Sequence, residues 1–82
     1  MMDERLTVLS RRWCHLCDEL LEELRPLAQE LDFAIDVIDV DEHPEFEDPY
    51  GELVPVVLAG DLALCHYRLD IEAIRAYRRK IG

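Results

Sequence analysis

The sequence predicts a single α/β domain in which helices flank a mixed sheet. Its 82 residues leave no room for two separate hydrophobic cores, so we expect one domain spanning residues 1–82. Half of the residues are hydrophobic (50%) and about a third are charged (34%), the balance of a folded globule rather than of a disordered tail. Short apolar runs alternate with stretches of helical periodicity, as in a layered domain of strands and helices.

The first half of the chain predicts a βαβ unit. Residues 6–10, LTVLS, are apolar on both faces, as expected of a central strand buried between helices. From Cys14 onward leucines recur at three- and four-residue steps, which predicts an amphipathic helix with a kink or break at Pro26. Residues 34–40, AIDVIDV, predict a second strand, and their aspartates favour an edge position. One helix between two strands implies parallel pairing through a right-handed crossover.

The second half predicts a short helix, an antiparallel hairpin and a final helix. The acidic residues 41–52 contain a short helix bracketed by prolines. Residues 53–59, LVPVVLA, predict a buried strand that a Gly-Asp turn joins to a strand over 62–67. Asp70 is the predicted N-cap of the last helix. The core face of that helix is predicted to hold Ile71, Ile74, Tyr77 and Ile81.

Charge and cysteine count narrow the function classes. The net charge of −10 argues against nucleic acid, because phosphate binding needs a basic surface. The apolar run 53–59 is too short to cross a bilayer, and the N-terminus carries acids where a secretory signal needs bases. Three cysteines, an odd number, favour a reducing compartment. We therefore expect a cytoplasmic protein without nucleic-acid or membrane partners.

The segment RRWCHLCDEL, residues 11–20, places two cysteines at the start of the predicted helix. Free N–H groups and the helix dipole stabilise a thiolate there, so Cys14 is the candidate nucleophile and Cys17 the candidate resolving thiol. Nearby cations favour that thiolate by lowering the thiol pKa, and nearby carboxylates oppose it. The cations are Arg11, Arg12 and His15, and the carboxylates are Asp18 and Glu19. Metal binding, or a site without activity, remains open at this point.

Val54-Pro55 is the second informative feature. Proline lacks a ladder donor, so Pro55 belongs at the first residue of a strand or at a turn, where a cis bond is also best tolerated. A hairpin folded about the Gly-Asp turn would pair Pro55 with His66 and Val56 with Cys65. The third cysteine would then lie on the same edge as the proline.

Trp13, Cys65 and His66 are candidates for tuning the dithiol. Trp13 would flank or shield Cys14, or else pack as an ordinary surface residue. Cys65 is interpreted first as a small buried hydrophobe, with a role as a third thiol kept open. Together with Cys14 and Cys17, His66 and Cys65 would complete a zinc set, but strand alternation brings only one of residues 65 and 66 to a given face.

The motifs SRRWCHLCDEL and YGELVPVVLAG together resemble the glutaredoxin-like group of small thioredoxin-fold proteins. The resemblance runs from residue 6 to residue 81. It implies a glutaredoxin-like βαββα thioredoxin fold with a four-stranded mixed sheet, and a cis Pro55 beside Cys14. It also implies that the Val54 backbone pairs with a peptide-like substrate. Arg11 matches a basic residue that lies three positions before the first cysteine and would hold a substrate carboxylate.

Two departures from the family pattern mean that the resemblance carries glutathione specificity over poorly. Cys65-His66 replaces the Gly-Gly pair that usually follows the last strand, and His15-Leu16 replaces the usual dipeptide between the cysteines. We predict a monomeric thiol–disulfide oxidoreductase that needs no bound cofactor or metal. Its partner would be a disulfide-containing protein or a low-molecular-weight thiol, with glutathione as a candidate reductant. The alternative is a non-enzymatic module of the same fold that binds a metal ion or a partner protein through this surface.

Overall fold

The computed structural model describes residues 4–82, and its elements follow the predicted order. Helix α1 continues through Pro26, so of the two outcomes predicted there, a kink or a break, the break is wrong. A short 3-10 turn, Val40–Glu42, precedes α2. The elements are β1 Glu4–Ser10, α1 His15–Glu30, β2 Phe33–Asp39, α2 Pro44–Tyr50, β3 Val56–Ala59, β4 Leu62–His66 and α3 Ile71–Ile81.

The four strands form one mixed sheet in the order β2-β1-β3-β4. β1 pairs in parallel with β2, whereas β3 is antiparallel to both β1 and β4. β1 is central and β2 lies at an edge, as the apolar and aspartate-containing patterns predicted. Because Leu9 pairs with Val56, the loop that follows β1 and the segment that precedes β3 lie at the same end of the sheet.

The register of the β3–β4 hairpin differs from the prediction by one residue. Near the turn, Ala59 pairs with Leu62, as a tight turn at residues 60–61 requires. An irregularity at Val57/Leu58 then shifts the register, because a bulge adds a residue to one strand. The observed pairs beyond it are Val56 with His66 and Val57 with Cys65, and the Tyr67 N–H donates to the Pro55 carbonyl.

Apolar clusters cover both faces of the sheet. One cluster joins β1 and β3 to α1 and α3, and its members include Leu6, Leu24 and Ile74, which are fully buried. The other joins the opposite side chains of these strands to Val40 and to half-buried Phe46 of α2. Full burial of one such side chain stabilises the fold by roughly 1.5–3 kcal/mol. The helix that carries the cysteines is therefore anchored to the sheet along its length.

Helix α3 is less buried than its periodicity predicted. Ile74 is inaccessible to solvent and Tyr77 packs against the core, but Ile71 and Ile81 are 49% and 36% exposed. These two isoleucines are the first and last residues of the helix, so the core covers only the middle of the predicted stripe. Among residues 4–82, no helix combines the length and apolar composition needed to cross a membrane.

Candidate functional site

Cys14 is the N-cap residue of α1. Its backbone is extended (φ −105°, ψ 103°), and its Sγ accepts a hydrogen bond from the Cys17 backbone N–H at 3.1 Å. The sulfur thus takes the place that a serine or aspartate oxygen usually has at a helix start. Trp13, at φ 61°, lies in the left-handed region where the chain turns from β1 into α1. The local fold therefore directs the Cys17 N–H, which has no partner within the helix, at the Cys14 sulfur.

The two cysteines of the pair differ in accessibility. Their sulfurs lie at disulfide distance and their Cα atoms are 5.2 Å apart. Cys17 is only 2% exposed, although its neighbours in the first turn of α1 are exposed, whereas Cys14 is partly exposed. An incoming disulfide would meet Cys14 first, and Cys17 would reach the same sulfur from inside.

Val54 and Pro55 lie at the same end of the sheet as the cysteines. The peptide bond between them is cis, as the resemblance implied, and Pro55 is buried while Val54 is half-buried. The Tyr67 hydroxyl donates to the Glu52 carbonyl at 3.0 Å, and its N–H donates to the Pro55 carbonyl at 2.8 Å. These two bonds connect the end of β4 to the segment around the proline.

The two arginines before Cys14 are paired with carboxylates of their own chain. Arg11 donates from Nη2 to Glu47 of α2, and its Nε lies 3.4 Å from an Asp41 oxygen without the alignment of a hydrogen bond. The hydrogen bond with Glu47 is the main cause that raises the Arg11 pKa. Arg12 is more exposed and lies 4.0 Å from both Asp39 and Glu42. The positive charge predicted beside the dithiol is therefore largely compensated within the protein.

The candidate tuning residues occupy different environments. The Trp13 side chain is 98% exposed, and His15 is exposed as well. His66 pairs with Val56 in β3 and is exposed, with its ring edge-on to Tyr67 at a centroid distance of 4.8 Å. The effects of these side chains on the dithiol stay predictions.

Cys65 packs against the cluster under α1 and α3. Burial raises the pKa of its thiol, and the N–H of Asp70 opposes that rise. Its neighbour His66 pairs with a residue whose side chain belongs to the opposite cluster. Within residues 4–82, no three His, Cys, Asp or Glu side chains are arranged to hold a metal ion. The zinc set that the sequence left open is thus not assembled.

Glu47 and Gly51 are site residues that the sequence did not single out. Gly51 follows α2, and a Cβ there would lie 2.6 Å from the Glu47 Cδ. The Glu47 carbonyl oxygen would be closer still, at 2.5 Å, so glycine leaves room both for this backbone contact and for the carboxylate that pairs with Arg11. In sequence, a glycine at this position is typical of a helix end, and that local role carries no information on its contact with Glu47.

Three comparisons give this geometry a context. The solution NMR structure of protein Ne2328 from Nitrosomonas europaea is 38% identical, with a TM-score of 0.83 over 94% of this chain and 93% of that chain. Thioredoxin 1 from Thermosipho africanus is 22% identical, with a TM-score of 0.65 over 94% of this chain and 97% of that chain, and shares the fold. The uncharacterized protein Rv0508 of Mycobacterium tuberculosis is 30% identical over 81 residues, 93% of this chain and 84% of that protein.

The mixed sheet, its helices and these neighbours define a thioredoxin-fold protein with a Cys-x-x-Cys pair at the start of α1. The family model described as Glutaredoxin-like domain (DUF836) matches residues 5–77. The chain therefore belongs to the glutaredoxin-like domain family, which confirms the resemblance found in its motifs.

Proposed function

We propose that this protein is a thiol–disulfide oxidoreductase whose working group is the Cys14–Cys17 dithiol. One observation supports this most strongly: a partly exposed Sγ caps α1, and a buried second sulfur lies at disulfide distance from it. The helix N-terminus favours the thiolate, which is the nucleophilic form of cysteine.

The reaction has two exchange steps. The Cys14 thiolate attacks one sulfur of a disulfide RS–SR, forms the Cys14–S–SR mixed disulfide and releases RS⁻. The Cys17 thiolate then attacks the Cys14 sulfur, closes the Cys14–Cys17 disulfide and releases the second RS⁻. The protein loses two electrons and the substrate gains them, so no bound cofactor or metal is needed.

The proposed partners are a disulfide-containing protein or a low-molecular-weight thiol. We propose that the protein acts on them as a monomer in the reducing cytoplasm. Three cysteines, of which Cys65 is outside the pair, support a reducing setting. The Val54 backbone, next to the cis bond at the same end of the sheet as Cys14, is the candidate contact for a peptide-like substrate. A thiol reductant, for which glutathione is the candidate from the family resemblance, would return the electrons.

The alternative function is a module of the same fold that binds a partner protein without exchanging disulfides. The 98% exposed Trp13, directly before Cys14, favours it, because an exposed aromatic side chain is an effective anchor at a protein interface. Both functions use the same surface and differ in whether the sulfurs react.

Redox titration separates the two. The wild type should take up two electrons per chain in one transition, and reduction of a test disulfide should vanish in Cys14→Ser. Cys65→Ser is the matched control, since it removes a thiol outside the pair and should retain wild-type turnover. Reduction that persists in Cys14→Ser, or a pair that never titrates, would refute the oxidoreductase proposal.

A further inference from the structure

The contacts of Arg11 point to a residue that selects substrates for the proposed reaction. We infer that Glu47 is a positioning residue that keeps Arg11 from binding anionic substrates, so that the dithiol favours disulfides flanked by cationic groups over the anionic glutathione disulfide. This inference rests on the proposed function and deepens it by naming the substrate class.

The first support is the pairing of Arg11 itself. Arg11 lies three residues before Cys14, where its guanidinium would otherwise be available to a substrate carboxylate. Its ion-pair partners among residues 4–82 are Glu47 and Asp41, one on α2 and one in the turn before it. Two internal carboxylates against one guanidinium leave this corner of the site with a net negative charge.

The second support is the close approach of Gly51 to Glu47. A Cβ at residue 51 would lie 2.5 Å from the Glu47 carbonyl oxygen and 2.7 Å from its Oε1, closer than real Cβ contacts come. Gly51 is buried, and the Glu47 carboxylate lies beside it while remaining exposed to solvent. A side chain at residue 51 would therefore force both the backbone carbonyl and the carboxylate of Glu47 to shift, and that carboxylate is the one that pairs with Arg11.

The third support is the charge of the surrounding surface. Arg12, the other cation before Cys14, lies 4.0 Å from Asp39 and from Glu42. An open groove of about 510 Å³ beside α2 is lined by Glu47, Asp48, Pro49, Glu52 and Leu53, the last of which directly precedes Val54 in the sequence. With a net charge of −10, the field at the dithiol repels anions and attracts cations.

The exchange reaction is the same for every disulfide substrate. The charge of the substrate changes only how often it reaches the dithiol. The reduced dithiol becomes the Cys14–Cys17 disulfide while RS–SR becomes two RSH, whether R is cationic, neutral or anionic. Three probes test this: cystamine, a dication at pH 7, neutral 2-hydroxyethyl disulfide, and glutathione disulfide, which is anionic. The rate at which the protein reduces each probe is divided by the rate at which dithiothreitol, an uncharged dithiol, reduces the same probe. This normalised rate removes the intrinsic reactivity of the probe.

For the wild type, the normalised rate should be at least about tenfold higher with cystamine than with glutathione disulfide. Added salt should lower the cystamine rate and raise the glutathione disulfide rate, because it screens both interactions. This measurement needs no variant, so it holds even if a substitution disturbs folding. Equal normalised rates that do not respond to salt would overturn the inference and leave the oxidoreductase proposal standing.

Glu47→Gln should reduce the cystamine preference by about fivefold, because it removes one charge and frees Arg11. Asp48→Asn is the matched control: it removes the same charge one residue away without touching the Arg11 pair, and should change the preference less than about twofold. Part of the change in Glu47→Gln should be a higher normalised rate with glutathione disulfide, because Arg11 is then free to bind it. This gain should be lost in the double variant Glu47→Gln, Arg11→Gln. An equal effect of both single variants, or a gain that survives loss of Arg11, would refute a role through Arg11.

Absence of reaction with all three disulfides would instead refute the proposed function, and this inference with it.

Discussion

Cys14 lies at the start of α1, whereas Cys65 lies in β4 within reach of the N–H of Asp70, the N-cap of α3. The surroundings of the two thiols act on them in opposite directions. Cys14 is itself the N-cap of α1 and its sulfur accepts an N–H of the first turn. At α3 the N-cap is Asp70, whose carboxylate accepts the Ala73 N–H, while Cys65 packs against the core. Burial is the main cause that raises the Cys65 pKa, and the Asp70 N–H opposes it without reversing it. The partly exposed cap position of α1 therefore favours a reactive thiol, whereas burial outweighs the Asp70 N–H at Cys65.

The largest expected difference is in alkylation. In the reduced protein at pH 7, iodoacetamide should modify Cys14 about a hundredfold faster than Cys65, because Cys14 is accessible and Cys65 is held as a half-buried neutral thiol. Mass spectrometry of peptides from timed samples measures both rates in one experiment. Unfolded protein is the control, since the two rates should converge there. Equal rates in the folded protein would contradict the contrast between the environments of the two thiols.

The next effect concerns the Asp70 cap. Asp70→Ala should lower the free energy of unfolding by about 1 kcal/mol, because the Ala73 N–H loses its partner. Asp70→Ser keeps an oxygen at the cap and should cost less than half of that. Urea unfolding of the three proteins measures the difference. If Ala and Ser are equally destabilising, the charge or packing of Asp70 matters more than its hydrogen bond.

A smaller effect should appear at alkaline pH. Because burial raises the Cys65 pKa, the unfolded chain loses this proton first as pH rises. Stability should therefore fall as pH rises through the ordinary thiol range of about 8.5, with the Cys14–Cys17 disulfide kept closed. Cys65→Ser should show a flatter dependence over that range in urea titrations. A slope unchanged by this substitution would contradict the assigned environment of Cys65.

The smallest effect is expected from the ion pair that joins the two helices. Glu30 of α1 accepts from Arg75 of α3 at 2.7 Å, and this hydrogen bond lowers the Glu30 pKa. Its contribution is present above the ordinary glutamate pKa of about 4.3 and is lost as pH falls through the lower folded value. The wild type should exceed Glu30→Gln in stability at pH 7 and match it in strong acid. Since both side chains are exposed, the gap should be slight, and a gap that persists in acid would point to packing instead.

Much of the fold was predictable because its signals are local. The leucine stripe of α1, the apolar β1 and the Asp70 cap each follow from residues close in sequence, and the structure confirms all three. The hairpin register was not predictable, since the bulge opposite Val57/Leu58 depends on how two strands meet. The exposure of Ile71 likewise depends on how much of α3 the core covers.

The candidate site divides in the same way. The sequence by itself determined the dithiol at a helix start and the distant Val54-Pro55, because spacing and backbone chemistry need no knowledge of distant contacts. Only the tertiary structure decided that Arg11 is paired with Glu47, 36 residues away, and that Cys65 is held against the core. The physical reason is that the charge and burial around a thiol depend on which segments fold beside it. Motif spacing carries no information on that point.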